Sequence, residues 1–231
     1  AEGETSRLSQ VSRAKDQEYT VTWFKKRRAV SAEAIARHGA SRAISDADTR
    51  LLREIQNGIK EDFLTYLKKT KTKVKGKGLQ EALAQSWGKL TTVNEFEGSP
   101  LVSFVNPLDV AEYLGNTPVA SDASNVFGFV LLQNFLGMQN VIVMPSCPKG
   151  KIYTTAVENL VFAYLNVANG DLGGLFADFT DETGVIAVSR DRHLNNLTFE
   201  SVFFVANVLF AEIPDGVVEA TIEAPAVVPG G

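Results

Sequence analysis

Asp191 and His193 stand two residues apart between Arg190 and Arg192, and an imidazole beside a carboxylate is half of a relay that could activate a nucleophile. The preferred reading of the same residues is a hairpin tip that meets a partner. His38 precedes Gly39 at an expected helix end, where a cationic imidazole suits the helix dipole and catalysis is the lesser reading. Gly76-Lys77-Gly78 and Pro148-Lys149-Gly150-Lys151 look like fragments of phosphate loops, but neither has the spaced Gly-x-x-x-x-Gly-Lys-Ser/Thr form. Cys147 lies between Pro145 and Pro148, with Lys149 the nearest cation in sequence, and reads as an inert thiol. Asp178, Asp181 and Glu182 could gather Ca²⁺, yet they lack Asp-x-Asp-x-Asp-Gly spacing and read better as a solvated turn. No complete catalytic arrangement is visible, and no cofactor is expected.

Composition narrows the classes further. The chain has 231 residues, 45% of them hydrophobic and 22% charged, which excludes disordered, collagenous and coiled-coil classes. One cysteine makes no internal disulfide, and one cysteine with two histidines falls short of a structural zinc site, so any metal would be held by oxygen. The longest apolar run, Val126 to Met144, is interrupted by Gln133, Asn134, Gln139 and Asn140, so a soluble chain without membrane partners is expected. The chain opens on Ala1 without a signal-like segment, and a processed or trimmed product is the expectation.

Charge is unevenly placed. Residues 1–79 hold 18 Lys/Arg and 10 Asp/Glu, a balance of +8, whereas residues 80–231 hold 5 and 17, a balance of -12. A basic third on an acidic body suits head-to-tail contact between copies. A solvated basic face is the bland alternative. Nucleic-acid binding is a third, weakened because Lys71, Lys73, Lys75 and Lys77 fall in a stretch that reads as a linker without aromatic stacking platforms.

The elements that must carry these residues can be read in order. Residues 5–28 form two extended arms: Leu8 and Val11 lie in a polar first arm, while Tyr19, Val21 and Trp23 share one strand face of the second. Such arms have little to bury on their own, and a hairpin of this kind is expected to be either floppy or laid across a neighbouring molecule. Ser31 to Gly39 predicts one or two helical turns with a Ser cap and a Gly stop. Ser45 and Asp48 then open a long amphipathic helix, about Asp46 to Lys69, on the spacing of Leu51, Leu52, Ile55, Ile59, Phe63, Tyr66 and Leu67. Lys71 to Gly78 is expected to be a linker, followed by a helix from about Leu79 to Trp87.

From Leu101 short strands alternate with short helices, giving an α+β or α/β core. Expected elements are a strand at Leu101–Val105, a helix from Pro107 to Leu114, a strand at Val141–Met144, and strands near 151–155 and 160–165. Gly173-Gly174 predicts a turn. Val185–Val188 and Leu197–Phe210 read as strands flanking a polar connector, Ser189 to Asn196. A last strand over Gly216–Ile222 precedes a tail from Ala224 that is expected to be disordered.

Several of these stretches, in this order, resemble the major capsid proteins of tailed bacteriophages, the Hong Kong 97-like family. The similar stretches are Lys25 to Gly39, Asp48 to Leu52, Ile59 to Leu64, Phe104 to Leu114, Asn134 to Gly137, Pro148 to Ala156, Asp181 to Ala187 and Glu212 to Val218. The resemblance implies an α+β subunit with an extended loop over 1–30 and a peripheral domain with its spine helix over 31–69. It also implies an axial domain over 70–184, a long peripheral hairpin over 185–212, and a closing axial strand with a flexible tail over 213–231. It implies no enzyme, but a virion protein that is assembled in the host cytoplasm. Its hexamers and pentamers would form an icosahedral shell around double-stranded DNA held without sequence specificity, with portal and scaffold proteins as further partners. Trp23, Lys25, Lys26, Arg27 and Arg28 of the extended loop would then contact the adjacent subunit. Arg190, Asp191, Arg192, His193, Asn195 and Asn196 at the hairpin tip would meet other copies at a threefold. The start departs from the family's pattern, in that the arm usually carried before the extended loop is not present, and maturation cleavage or a segment outside this sequence is the expected reason. An encapsulin-like compartment shell shares the implied fold, and a small hydrolase using Asp191 and His193 is the alternative from another class.

Overall fold

The computed structural model describes residues 18–116, 122–126, 129–136, 138–166 and 170–224; the first polar arm and the tail beyond Ala224 lie outside them. Among the described residues no helix is long and apolar enough to cross a membrane.

Strand β1 (Thr22–Ser31) runs into helix α1 (Ala32–His38), whose cap is the expected one: Ala34 N–H donates to Ser31 Oγ at 3.3 Å. Gly39, at φ 80°, closes α1 by donating its N–H to the Ile35 carbonyl and turns the chain into the long helix α2 (Ala40–Leu67). At 28 residues α2 is about 42 Å long. It begins six residues before the expected start at Asp46. Ala40, Ala43 and Ala47 carry almost no helix penalty, so a rod nucleated by its packed half propagates back to Gly39. Ser45 and Asp48 therefore sit inside the helix.

The stretch read as a linker is instead strand β2 (Thr72–Lys77). It pairs in parallel with β12 (Val217–Glu223), Thr72 opposite Val218 and Lys77 opposite Glu223. That partner lies far away in sequence, so local polarity concealed the strand. Helix α3 (Gly78–Thr91) follows and extends past the expected end at Trp87. Strand β3 (Leu101–Val105) and helix α4 (Pro107–Asn116) come next, then β4 (Asp122–Val126), β5 (Phe129–Phe135), β6 (Met138–Val143) and β7 (Lys151–Ala156). A seven-stranded sheet has the order β2-β12-β7-β3-β6-β5-β4.

Strand β8 (Leu160–Leu165), helix α5 (Gly170–Phe176), β9 (Phe179–Thr180), β10 (Ala187–His193) and β11 (Thr198–Ala211) complete the chain order before β12. Gly173 and Gly174 lie within α5 and not in the expected turn. The second sheet has the order β1-β11-β10-β9, with β8 also on β11. The polar stretch from Ser189 zips into β10 as far as His193, which shortens the hairpin connection to residues 194–197.

Helix α2 unites the two sheets. Its first half packs Leu51, Ile55 and Ile59 on Ile186, Val188, Phe203 and Val205. Its last turns put Phe63, Leu64 and Leu67 on Val102, Phe104, Tyr153 and Val217 of the seven-stranded sheet. Phe63 and Phe104 meet edge to face, centroids 5.1 Å apart. The opposite face of that sheet is covered by α3, where Leu79, Leu83 and Leu90 join Val105, Ile152 and Val218. One amphipathic helix thus supplies core to both sheets, and alternation along each strand assigns the other face.

Candidate assembly surfaces

The five residues assigned to the extended loop all lie on β1, which pairs with its own chain's β11 from Thr22–Asn207 to Ser31–Thr198. This arm therefore has a partner within the molecule. Alternation divides its side chains between two faces. Phe24 packs beside α2, and on that face Arg28 forms an ion pair with Glu54 of α2. Lys26, on the same face, is exposed. Trp23, Lys25 and Arg27 face the other way. Trp23 is 45% exposed, and the Lys25 ammonium stands 5.3 Å from its ring centroid.

The six tip residues lie at the far end of the same sheet. Arg190 points toward α2, paired with Asp48 Oδ2 at 2.5 Å, and its guanidinium carbon lies 4.5 Å from the Phe179 ring centroid. Its backbone N–H donates to Asp178 Oδ2. Asp191 Oδ1 accepts from the Arg192 N–H at 2.7 Å, and Asn196 Oδ1 accepts from Thr198 Oγ at 2.7 Å. Arg192 and Asn195 are exposed. His193 Nε2 lies 3.4 Å from Glu200 Oε2, and Arg27 Nε lies 3.2 Å from that same oxygen. The structure thus gathers Arg27, Glu200 and His193 from three adjacent strands, joining members of both expected contact groups. Asp191 stands directly opposite Glu200 in register, so two carboxylates face each other and the flanking cations compensate. His193 is paired with the cross-strand Glu200 carboxylate, and among the described residues no hydroxyl or thiol is bonded to its ring.

The sequence alone does not single out Glu200 or Glu54 and offers Asp48 only as part of a helix start, because the cationic partners of all three are brought to them by the fold. It also passed over the apolar residues of the tip. Leu194 is 79% exposed and Leu197 62%, the latter at φ 50°. Two leucines framing Asn195-Asn196 in a polar connector were the available signal.

The remaining candidates resolve into structural roles. Lys77 and Lys149-Gly150, from the two phosphate-loop fragments, line one cavity of about 430 Å³. Asp109, Glu112 and Glu223 line it too, so it is no cradle for an anion. Lys149 pairs with Glu112 at 3.2 Å, and Asp109 Oδ2 accepts from the Gly150 N–H at 2.8 Å; burial pushes the Asp109 carboxyl above its ordinary pKa. Cys147 is buried, and its thiol, in reach of the Phe104 and Lys151 carbonyls, is pushed up to about 12, chiefly by desolvation. Asp181 staples its own turn by accepting from the Val185 and Ile186 N–H groups. Among the described residues no cluster suited to a metal ion occurs. His38 ends α1, as expected, and is exposed.

No model of a protein family matches the chain, and no curated protein is significantly similar to it in sequence. Solved structures are similar to it in fold. The encapsulin of Synechococcus elongatus superposes with a TM-score of 0.57 at 13% identity, covering 89% of this chain and 75% of its own. The satellite phage P4 procapsid protein gives 0.57 at 12% identity, covering 95% and 82%. The capsid protein of cyanophage P-SCSP1u gives 0.54 at 10% identity, covering 96% and 81%. The chain therefore has the α+β Hong Kong 97-like capsid fold that the sequence resemblance implied.

Proposed function

We propose that this chain is the major head protein of a tailed bacteriophage, building an icosahedral shell around double-stranded DNA through hexamers and pentamers. The observation that carries the proposal is the fold itself, shared over 95% of the chain with a phage procapsid protein and over 96% with a cyanophage capsid protein. The phage-like stretches of the sequence favour this over an encapsulin-like compartment, which uses the same fold. In this reading β1 returns the extended loop into the peripheral sheet. Residues 31–69 and 185–212 are peripheral together with β8 and β9, which pair with β11 and β10, and the seven-stranded sheet from β2 to β7 with β12 is axial.

Trp23, Lys25, Lys26 and Arg27 are the members of the first contact group with exposed surface for a neighbouring subunit. Arg27 and Arg28 act through their own chain's Glu200 and Glu54 to hold β1 in place. At the other end Arg192, Asn195 and Asn196 meet further copies, while Arg190, Asp191 and His193 shape the hairpin beneath them. A virion location, and portal and scaffold partners, belong to the same proposal.

The test is the content of shells recovered from cells that carry the gene. Nuclease-resistant double-stranded DNA in them is the expected result. A cargo protein in fixed ratio to the shell subunit would instead make this an encapsulin-like compartment.

A further inference from the structure

From Lys68 to Lys77 the chain holds six lysines in ten residues and no acid. Lys68 and Lys69 end the spine helix, Thr70 is buried, and Lys71 leads into β2. Lys73, Lys75 and Lys77 then share one face of that strand, because Val74 and the buried Gly76 take the other, under α3. Alternate strand residues stand about 6.6 Å apart, so Lys71 to Lys77 form a straight rank of roughly 20 Å. The rank lies on the same face of the seven-stranded sheet as Glu219 and Glu223, and on the side where α2 packs.

Two carboxylates offset part of this charge. Lys75 pairs with Glu223 at 3.0 Å, and Lys73 lies 3.9 Å from Glu219, which is held more closely by Lys151 at 2.8 Å. Lys68, Lys71 and Lys77 form no ion pair among the described residues. β2 is also an edge strand, and lysines protect edges from unwanted strand pairing. Edge protection does not account for Lys68 and Lys69, which continue the charge off the strand onto the helix end.

We propose that this rank is a phosphate-contact surface for duplex DNA, with the α2 side of the subunit facing the nucleic acid. The inference rests on the DNA-enclosing reading above and adds the surface by which DNA is met. Duplex DNA carries one charge per ~3.4 Å along each strand, so a rank of roughly 20 Å lies alongside about six phosphates. Lysines without aromatic platforms or base-reading side chains give contact that is electrostatic and indifferent to sequence. The polyanion is a duplex, because the single-strand alternative needs stacking surfaces that the rank lacks.

The test is fluorescence anisotropy of a labelled 30-base-pair duplex with the purified full chain between 50 and 200 mM NaCl. The combined variant Lys71→Gln, Lys73→Gln, Lys75→Gln, Lys77→Gln is compared with the same four changed to Arg, and with Lys89→Gln on α3. The Gln variant is expected to lose at least about tenfold in affinity at 100 mM salt, with the slope of log K against log salt shallower by about 2–4. The Arg variant and Lys89→Gln retain the slope. An unchanged slope in the Gln variant, with its far-ultraviolet circular dichroism intact, overturns the proposal. So does wild-type chain that binds an acidic peptide of equal charge as tightly as DNA, which would make the rank a protein-docking surface. Particle formation by the Gln variant, seen by electron microscopy, is read separately: intact shells with lost DNA affinity leave the shell reading untouched, whereas failure of wild type to form shells rejects that reading alone.

Discussion

Arg27 on β1 and Glu200 on β11 meet diagonally across the strand ladder, with Nε 3.2 Å from Oε2. The two ends of the pair differ in environment: the Arg27 side chain is 68% exposed and that of Glu200 only 9%. Removing the cation therefore leaves a nearly buried carboxylate facing Asp191, with His193 as its remaining ion-pair partner. Arg27→Ala is expected to destabilise the fold by about 1–3 kcal/mol, measured by urea unfolding. Arg27→Ala combined with Glu200→Gln should recover part of that loss, because the uncompensated charge is gone. A double variant less stable than Arg27→Ala alone would contradict this account of the pair.

Gly76 marks the closest approach of β2 to α3. A methyl group there would stand 2.3 Å from the Ala82 backbone nitrogen and 2.5 Å from its Cα. Backbone cannot swing aside as a side chain can, so Gly76→Ala forces strand and helix apart. Overpacking of this kind costs about 1–3 kcal/mol or more. A fall in thermal midpoint of several degrees is expected, whereas Gly88→Ala, inside α3 with open space around it, should raise the midpoint, because Ala is favoured over Gly in a helix by about 0.5–1 kcal/mol.

The Cys147 thiol, pushed up to about 12 and sealed beneath Phe104, is almost wholly protonated at pH 8. A thiol reagent such as Ellman's should leave it unmodified in the native chain and titrate one equivalent in guanidinium chloride. Rapid native labelling at the denatured rate would show that the interior around Met144 and Cys147 is open.

The cause of the raised Asp109 carboxyl is burial, which outweighs the Gly150 N–H and Lys149. A folded-state pKa above the unfolded one means that the buried charge weakens the fold at neutral pH, and that this penalty is lost as pH falls through the folded value. Asp109→Asn keeps an oxygen acceptor for the Gly150 N–H and removes the charge. It is expected to be the more stable chain at pH 7, with the difference shrinking toward pH 4. Asp109→Ala removes the acceptor as well and should cost about 1–3 kcal/mol at every pH.

Where a residue's role is set by its neighbours in sequence, the structure follows the sequence closely. Ser31 caps α1, Gly39 ends it, and the three-four spacing of Leu51, Ile55, Ile59 and Phe63 faces the core. Where the role is set by strand pairing, it was hidden. Lys71 to Lys77 read as a linker because its partner, Val218 to Glu223, lies at the other end of the chain. Ser189 to His193 read as connector because the partners of its polar groups are brought near only by the fold: Asp48 for the Arg190 guanidinium, Asp178 for the Arg190 N–H and Glu200 for His193. The candidate surface residues were legible as charged and clustered. Which were bound to their own chain was not, since an ion pair such as Arg28–Glu54 depends on how a strand lies against a helix.

If copies of this chain close into a shell, particle mass and imaging will show it. The purified protein at neutral pH and physiological salt is measured by light scattering, and the same sample is examined by negative-stain electron microscopy. The account predicts closed particles, or rings of five and six subunits, with a mass many times the 25.1 kDa of one chain. A single species of 25.1 kDa that persists at high concentration, with fields free of rings and shells, would contradict it.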